Sequence, residues 1–276
     1  MSRPPPLTDR SALALHRTRA DIAGARFLHD EAIAEVQERL TEINRTFTDP
    51  AIVTGHPDIW RNVCPGARIV PDHETLELDP GAHDLVIHAM AMHWADDPIG
   101  QLVQARRALR PDGLFLGVFP AGQTLHELRA ALAQAESQLT GGLSPRIAPT
   151  GEIRDLGGLL QRAGFALPVA DTIALRATYD SALALMHDLR TMGETNALAA
   201  RRRVFAPRQL FALANAIYAD SFATEDGRIA ATFDLVFLTG WAPADNQQKP
   251  LRPGSAKARL ADALGVPEGR MPPKHD

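Results

Sequence analysis

Three features of the sequence predict an α/β fold with a doubly wound, mostly parallel sheet. Short β-prone runs alternate with stretches of helical period along most of the chain. One of these runs, Leu85-Val86-Ile87, is apolar on both faces, as a central parallel strand covered by helices on two sides requires. Glycines and prolines stand at the junctions between runs, where they stop one element and turn the chain into the next. With 276 residues, 45% hydrophobic and 22% charged, the chain is long enough to bury one large core.

The elements follow in order. Residues 1–26 begin Pro-rich and are expected to be a flexible segment. In Phe27 to Ile43, Leu28, Ile33, Val36, Leu40 and Ile43 share a helical stripe. Ala51 to Thr54 is a short strand, PDIWRNV a stubby helix with Pro57 in its first turn, and Ala67 to Val70 a second strand. A third begins at Asp84. The helix IGQLVQARRAL is expected to end at RPDG and lead into the buried strand LFLGVF. A helix, TLHELRAALAQAESQL, and a loop, GGLSPRIAP, come next. DLGGLLQRAGF reads as a helix ended by Gly164, and PVADTIALRATY as a strand. Two helices in an insertion at about 180–224 precede a long last strand within RIAATFDLVFLTGWAP. The domain is thus expected over 27–242. Residues 243–276 form a Pro-rich tail with one short helix near Ala256 to Leu264.

Composition narrows function. Net charge is −4 from 29 basic and 33 acidic residues, and only Arg201-Arg202-Arg203 cluster, which reads as a solvated helix face rather than a nucleic-acid footprint. A single cysteine, Cys64, excludes an intrachain disulfide framework and a multi-cysteine metal cluster. No apolar run approaches the roughly 20 residues of a membrane span, and the start lacks the apolar segment of a secretory signal. The expected location is cytoplasmic. A bias of 26 arginines to 3 lysines, with abundant alanine, suggests a GC-rich bacterial genome. Ligands of open α/β sheets sit beyond the carboxyl ends of the strands, which puts Gly55, Asp72 and His88 to Trp94 at the expected site.

Several phrases resemble a known family. DLVIHAMAMHWADDP followed by ARRALRPDGLFLGVFP is similar to the fourth and fifth strands of class I S-adenosylmethionine-dependent methyltransferases, with their L-[KR]-P-[DG]-G phrase. TLHELR, GGLSPRIAP, DLGGLLQRAGF, MHDLRTMGETNA and ATFDLVFLTGWAP look like the methyltransferase-like assembly factor five family of respiratory complex I and its bacterial relatives. The resemblance covers roughly residues 25 to 260. It implies a seven-stranded sheet with an antiparallel last hairpin strand, S-adenosylmethionine as cofactor, and either a protein substrate or a complex I subunit as partner. The mitochondrial member hydroxylates an arginine of such a subunit, so the family alone does not dictate the reaction. Relatives include a carrier-protein methyltransferase of the biotin pathway.

Against this pattern the cofactor elements are reduced. The family's D-x-G-x-G-x-G loop is represented by AIVTGHPDIW, in which only Gly55 remains and Pro57 removes a backbone N–H. Only 29 residues, Gly55 to His83, separate the first strand from DLV. One strand, crossover helix and return strand takes about 30 residues, so one strand-helix unit is expected to be missing. The phrase VPDHETLELDPGAHDLV matches the strand that survives to the family's third. That puts Asp72 near the adenine and leaves no counterpart for the ribose-holding acid.

The resemblance implies Gly55, Asp72, His88, Met90 and Met92 as cofactor contacts, and His93, Trp94, Gln123, His126 and Arg146 as substrate contacts. His126 stands where the family shows tyrosine. Gly55 reads equally as a turn glycine, Asp72 as a loop acid and Trp94 as a packing anchor. Two functions remain open. One is methyl transfer by in-line displacement in a trimmed pocket. The other is a non-methylating family member that keeps the substrate half and serves as an assembly or binding factor. His83, His88 and His93 recur beside Asp72-His73-Glu74, but side chains five apart on a strand point to opposite faces, so no metal site is expected.

Overall fold

β1 (Pro50–Thr54), β2 (Arg68–Val70), β3 (His83–Ala89), β4 (Leu109–Ala121), β5 (Ala166–Tyr179) and β6 (Ile229–Trp241) form one sheet in the order β2-β1-β3-β4-β6-β5. They are seen in a computed structural model that describes residues 5–247. β2, β1, β3 and β4 are parallel, while β6 is antiparallel to both β4 and β5. Six strands among the described residues match a class I sheet short of one strand-helix unit.

Two layers of helices cover the sheet, and strand periodicity decides which side chains meet which layer. Ile52, Leu85, Ile87, Leu116 and Phe237 face a core shared with α2 (Phe27–Glu42), α5 (His126–Thr140), α7 (Ala182–Thr191) and α8 (Arg208–Ser221). Val53, Val86, Phe115 and Leu238 face α4 (Pro98–Ala108) and α6 (Ile153–Arg162). Local chemistry sets the helix starts. Asp97 accepts from the Gly100 N–H at 2.8 Å with Pro98 in the first turn of α4, and Ser181 accepts from Ala184 N–H at 3.1 Å to open α7. Gly164, at φ +81°, ends α6 where an L side chain would be strained.

Four expectations differ. Residues 10–18, read as part of a flexible segment, form helix α1 (Arg10–Thr18), whose Leu13 is 1% exposed and packs on Trp94, Ala197 and Leu198. Its nine residues are amphipathic, but they fall short of the 11–18-residue span over which helical period is read, and they follow a Pro-rich start. RPDG does not separate helix from strand: β4 already begins at Leu109, paired with His83, and Asp112 turns within it at φ 63°. The arginine cluster is not a helix face: residues 201–203 lie between α7 and α8, and Arg201 and Arg203 both pair with Asp9, at 2.9 and 3.1 Å. Lastly, β2 is seated directly against β1, Ala51 opposite Arg68, which is the place of a second strand and not a third. The proposed tail helix near Ala256 to Leu264 lies outside the described residues.

Candidate functional site

The carboxyl ends of β1, β2 and β3 form one corner, and α1 lies over it. Gly55 follows β1, and a Cβ added there would fall inside the guanidinium group of Arg17. The same guanidinium donates from Nη1 to Asp72 Oδ1 at 2.7 Å. Arg10 donates to the Asp72 backbone carbonyl at 3.0 Å and reaches Oδ2 at 3.4 Å. Asp72 is 4% exposed. Burial raises its pKa, but Arg17 and then Arg10 outweigh this and hold the carboxyl below its ordinary value. Around it lie buried histidines. His56 is 7% exposed and meets His29 edge to face, while His29 Nδ1 accepts from Trp60 Nε1 at 3.0 Å. Burial lowers the pKa of both, that of His29 to about 3.

Beside this corner opens a cavity of about 590 Å3, within the roughly 300–1,000 Å3 common for small ligand sites. Its wall is largely apolar, from Leu125, Leu128, Met186, Phe211 and Phe233, and His93, Trp94 and Glu194 lie along one side. Glu194 Oε2 accepts from Trp94 Nε1 at 2.8 Å and from His93 Nε2 at 3.1 Å. Oε1 accepts no hydrogen bond from the described residues, and a fifth of the side chain, 20%, stays accessible. Burial pushes this carboxyl up, yet His93, Arg17 and Trp94 more than compensate and bring its pKa to about 2. It is an anion at neutral pH. Arg146 also lines the cavity, but its guanidinium is committed to Glu136 through Nη2 at 2.6 Å and Nε at 3.1 Å.

The expected site residues therefore separate. Gly55 and Asp72 meet at the corner through Arg17. His88 instead points to the α4 side of the sheet, fully buried, and donates from Nε2 to Gln101 Oε1 at 2.6 Å. Met90 and Met92 fall in the cores on opposite sheet faces. His93, Trp94 and Arg146 come together at the cavity. Gln123 and His126 do not line it: the Gln123 backbone N–H donates to Asp234 at 2.7 Å, and His126 Nδ1 donates to the Gln123 carbonyl at 3.0 Å. His83, which donates to the Asp49 carbonyl at 3.1 Å at the far end of β3, stands apart from the other two histidines.

A family model for a methyltransferase domain matches residues 55–117, the stretch from Gly55 through most of β4. The arginine-hydroxylase NDUFAF5, mitochondrial, of Danio rerio is 39% identical over 198 residues, 72% of this chain and 61% of that protein. The Homo sapiens protein of the same name is 36% identical over 209 residues, 76% of this chain and 60% of its own length. A malonyl-[acyl-carrier protein] O-methyltransferase of Laribacter hongkongensis is 34% identical over 188 residues, 68% and 61% of the two chains. Residues 55–117 thus resemble a methyltransferase domain, and the longer stretch is similar to these relatives. The chain spans about three fifths of the length of these curated relatives.

Class I methyltransferases place S-adenosylmethionine where β1 and β2 end, and the residues present here do not fit it. The face of Gly55 that a cofactor would approach is taken by Arg17, and the carboxylate available to a ribose diol is paired with two arginines. β2 pairs with β1 in the second-strand place, so Asp72 follows the strand after which the family's ribose-holding acid stands, and not the third strand with which the expectation matched it. Sequence reading missed Arg10, Arg17 and Glu194. The first two lie in a segment with no family motif. Glu194 sits inside the quoted phrase MHDLRTMGETNA, a hundred residues from the Trp94 it bonds, and only the fold closes that distance.

Proposed function

We propose that this chain is a non-methylating binding member of its family, which receives an arginine side chain of a protein partner in the cavity beside Trp94. The Glu194 carboxylate carries this reading: one oxygen is fixed by Trp94 and His93, and the other takes no hydrogen bond from the described residues at the wall of a largely apolar cavity. A guanidinium matches that geometry, because it forms charge-assisted hydrogen bonds to a carboxylate while its aliphatic stem rests on apolar wall. Trp94 is 3% exposed and serves by holding the carboxylate in place through its Nε1. The relatives named arginine-hydroxylase support the choice of side chain, and the resemblance to the complex I assembly factor family supports a respiratory complex I subunit as the partner. The filled corner at Gly55 favours binding without methyl transfer. Methyl transfer would need α1 to leave the corner. No helix among the described residues is long and apolar enough to cross a membrane. We place the chain in the cytoplasm of a bacterium, with the mitochondrial relatives as the alternative.

Calorimetric titration tests the reading with a blocked arginine peptide and its citrulline counterpart, which keeps the shape but loses the charge. The arginine peptide is expected to bind, and Glu194→Gln to weaken it at least about tenfold, since the lost bond involves a charged group. Equal binding of the two peptides would sink the assignment.

A further inference from the structure

The mismatch at the corner is itself a structural device. Arg17 comes from the last turn of α1 and sits with its guanidinium over Gly55, so the chain's own side chain fills the space beside the end of β1. Asp72 holds it there at 2.7 Å, with Arg10 as second partner. The helix is fastened on its far side to residues 194–199. Asp9 N–H donates to the Ala197 carbonyl at 2.7 Å, Ala199 N–H to the Leu7 carbonyl at 2.8 Å, and His16 Nδ1 to the Thr195 carbonyl at 3.1 Å. Thr8 ties the same segment to the strand end, donating from Oγ1 to the Trp94 carbonyl at 2.9 Å and from its N–H to Asp96 at 2.9 Å. Gly193 lets the backbones approach: a Cβ there would meet Arg17 Cα at 3.3 Å and Ala20 Cβ at 3.2 Å, at a φ of +84°.

We propose that α1 is a built-in occupant of the nucleotide corner, in which Arg17, held by Asp72 against Gly55, stands in the place of an adenosyl ligand and keeps one out. Competition at Asp72 gives the reason. A ribose diol would offer that carboxylate neutral hydroxyl donors, whereas Arg10 and Arg17 add full positive charges, whose attraction to the buried anion a hydroxyl cannot match. The arginines are also tethered, so their local concentration far exceeds that of a free ligand. An adenosyl ligand sees only the fraction of molecules in which α1 has left, and its apparent Kd rises by the reciprocal of that fraction. The arginines fit the corner less completely than a native ligand would. Arg17 Nε and Nη2, Arg10 Nε and Nη2, and His56 Nε2 are all buried there without a hydrogen-bond partner among the described residues. The proposal does not depend on what fills the neighbouring cavity.

S-adenosylhomocysteine is the probe, used with the full chain and read by calorimetry and thermal denaturation at millimolar ligand. Wild type is expected to show no heat and no shift in Tm. The Arg10→Ala/Arg17→Ala variant, checked for folding by circular dichroism, is expected to bind at least about a hundredfold more tightly and to gain several degrees with ligand. Binding by the wild type would overturn the proposal. So would a folded double variant that ligand leaves unchanged. If the double variant does not fold, Gly55→Ala decides, alone and combined with Arg17→Ala. Gly55 has no positive φ, and the three atoms nearest to an added methyl group all belong to the Arg17 guanidinium. Gly55→Ala is expected to lower Tm in wild type by several degrees and to have little effect once Arg17 is alanine; equal losses in both backgrounds would show that Arg17 does not occupy the corner. The arginine-peptide titration reads a different site with a different ligand, so either assignment can fail while the other stands.

Discussion

Glu136 shows how one side chain organises a loop that composition marks only as irregular. Its carboxylate is 4% exposed on its side chain and takes four hydrogen bonds, from Arg146 Nε and Nη2 and from Ser144 N–H and Oγ, the latter at 2.6 Å. Arg146 and then Ser144 hold its pKa at about 2, against the opposing effect of burial. Arg146 was expected to dock substrate, yet its charge is spent on this fastening, and it reaches the cavity as a wall. Arg146→Ala removes two of the four donors and leaves a buried carboxylate short of partners. It should destabilise the protein by about 1–3 kcal/mol in urea denaturation and expose residues 141–150 to limited proteolysis. An unchanged midpoint would mean that Ser144 alone is sufficient. The motif around Arg146 was legible in GGLSPRIAP, but its role was not, because Glu136 is ten residues away on a helix face and only the return of the loop brings the two together.

Among the elements, α1 was the least legible and has the largest consequence for the site. Its sequence, RSALALHRT, is capped by Asp9, which accepts from Ala12 N–H at 3.1 Å, but it buries only Leu13. Leu13→Ala should cost about 2–3 kcal/mol, at the low end for a core leucine because the cluster around it is small. Amide exchange should then accelerate in residues 12–18 more than in β3 or β4, as expected for a locally opening unit. Uniform acceleration across the sheet would instead make α1 part of the global core. By contrast, the strands other than β4 were readable to within a few residues, since short apolar runs bounded by glycine, proline and polar residues mark strands in an alternating α/β pattern. The missing strand-helix unit was also readable, from a count of 29 residues between two recognised points. Which strand had survived was not, because a phrase following a strand does not specify the neighbour with which that strand pairs.

For the molecule as a whole, buried neutral histidines set the response to acid. Burial lowers the His29 pKa to about 3, and it lowers that of His88 to about 4 although the bond to Gln101 opposes the shift. Both values lie below the ordinary 6.5, so the unfolded chain binds more protons than the folded one between the two. Stability from these groups is complete above pH 6.5, falls as pH drops through the window to about 4 for His88 and about 3 for His29, and then levels. The slope is about 1.4 kcal/mol per pH unit for each histidine kept neutral. Below about pH 4.5, Asp72 and Glu194, whose folded pKa values are depressed, add a further loss. Denaturation midpoints measured from pH 7 to pH 4 should therefore decline steadily, and His88→Gln should flatten the decline. A flat wild-type profile would show that these rings are hydrated in solution.

Local chemistry is written in the sequence wherever a residue acts through its near neighbours. The strand runs, the helix caps at Asp97 and Ser181, the reduced glycine loop at Gly55 and the family phrases from Thr124 onward all have this character. They determined the α/β class, the antiparallel last strand and the family resemblance. Tertiary structure alone decided which of the expected site residues meet. Burial sends alternate side chains of β3 to opposite faces, so His88 leaves the site while Trp94 and Glu194, a hundred residues apart, form one hydrogen bond. It also decided that Arg17 lies on Gly55, because a contact between a first helix and the end of a first strand depends on where the whole sheet places them.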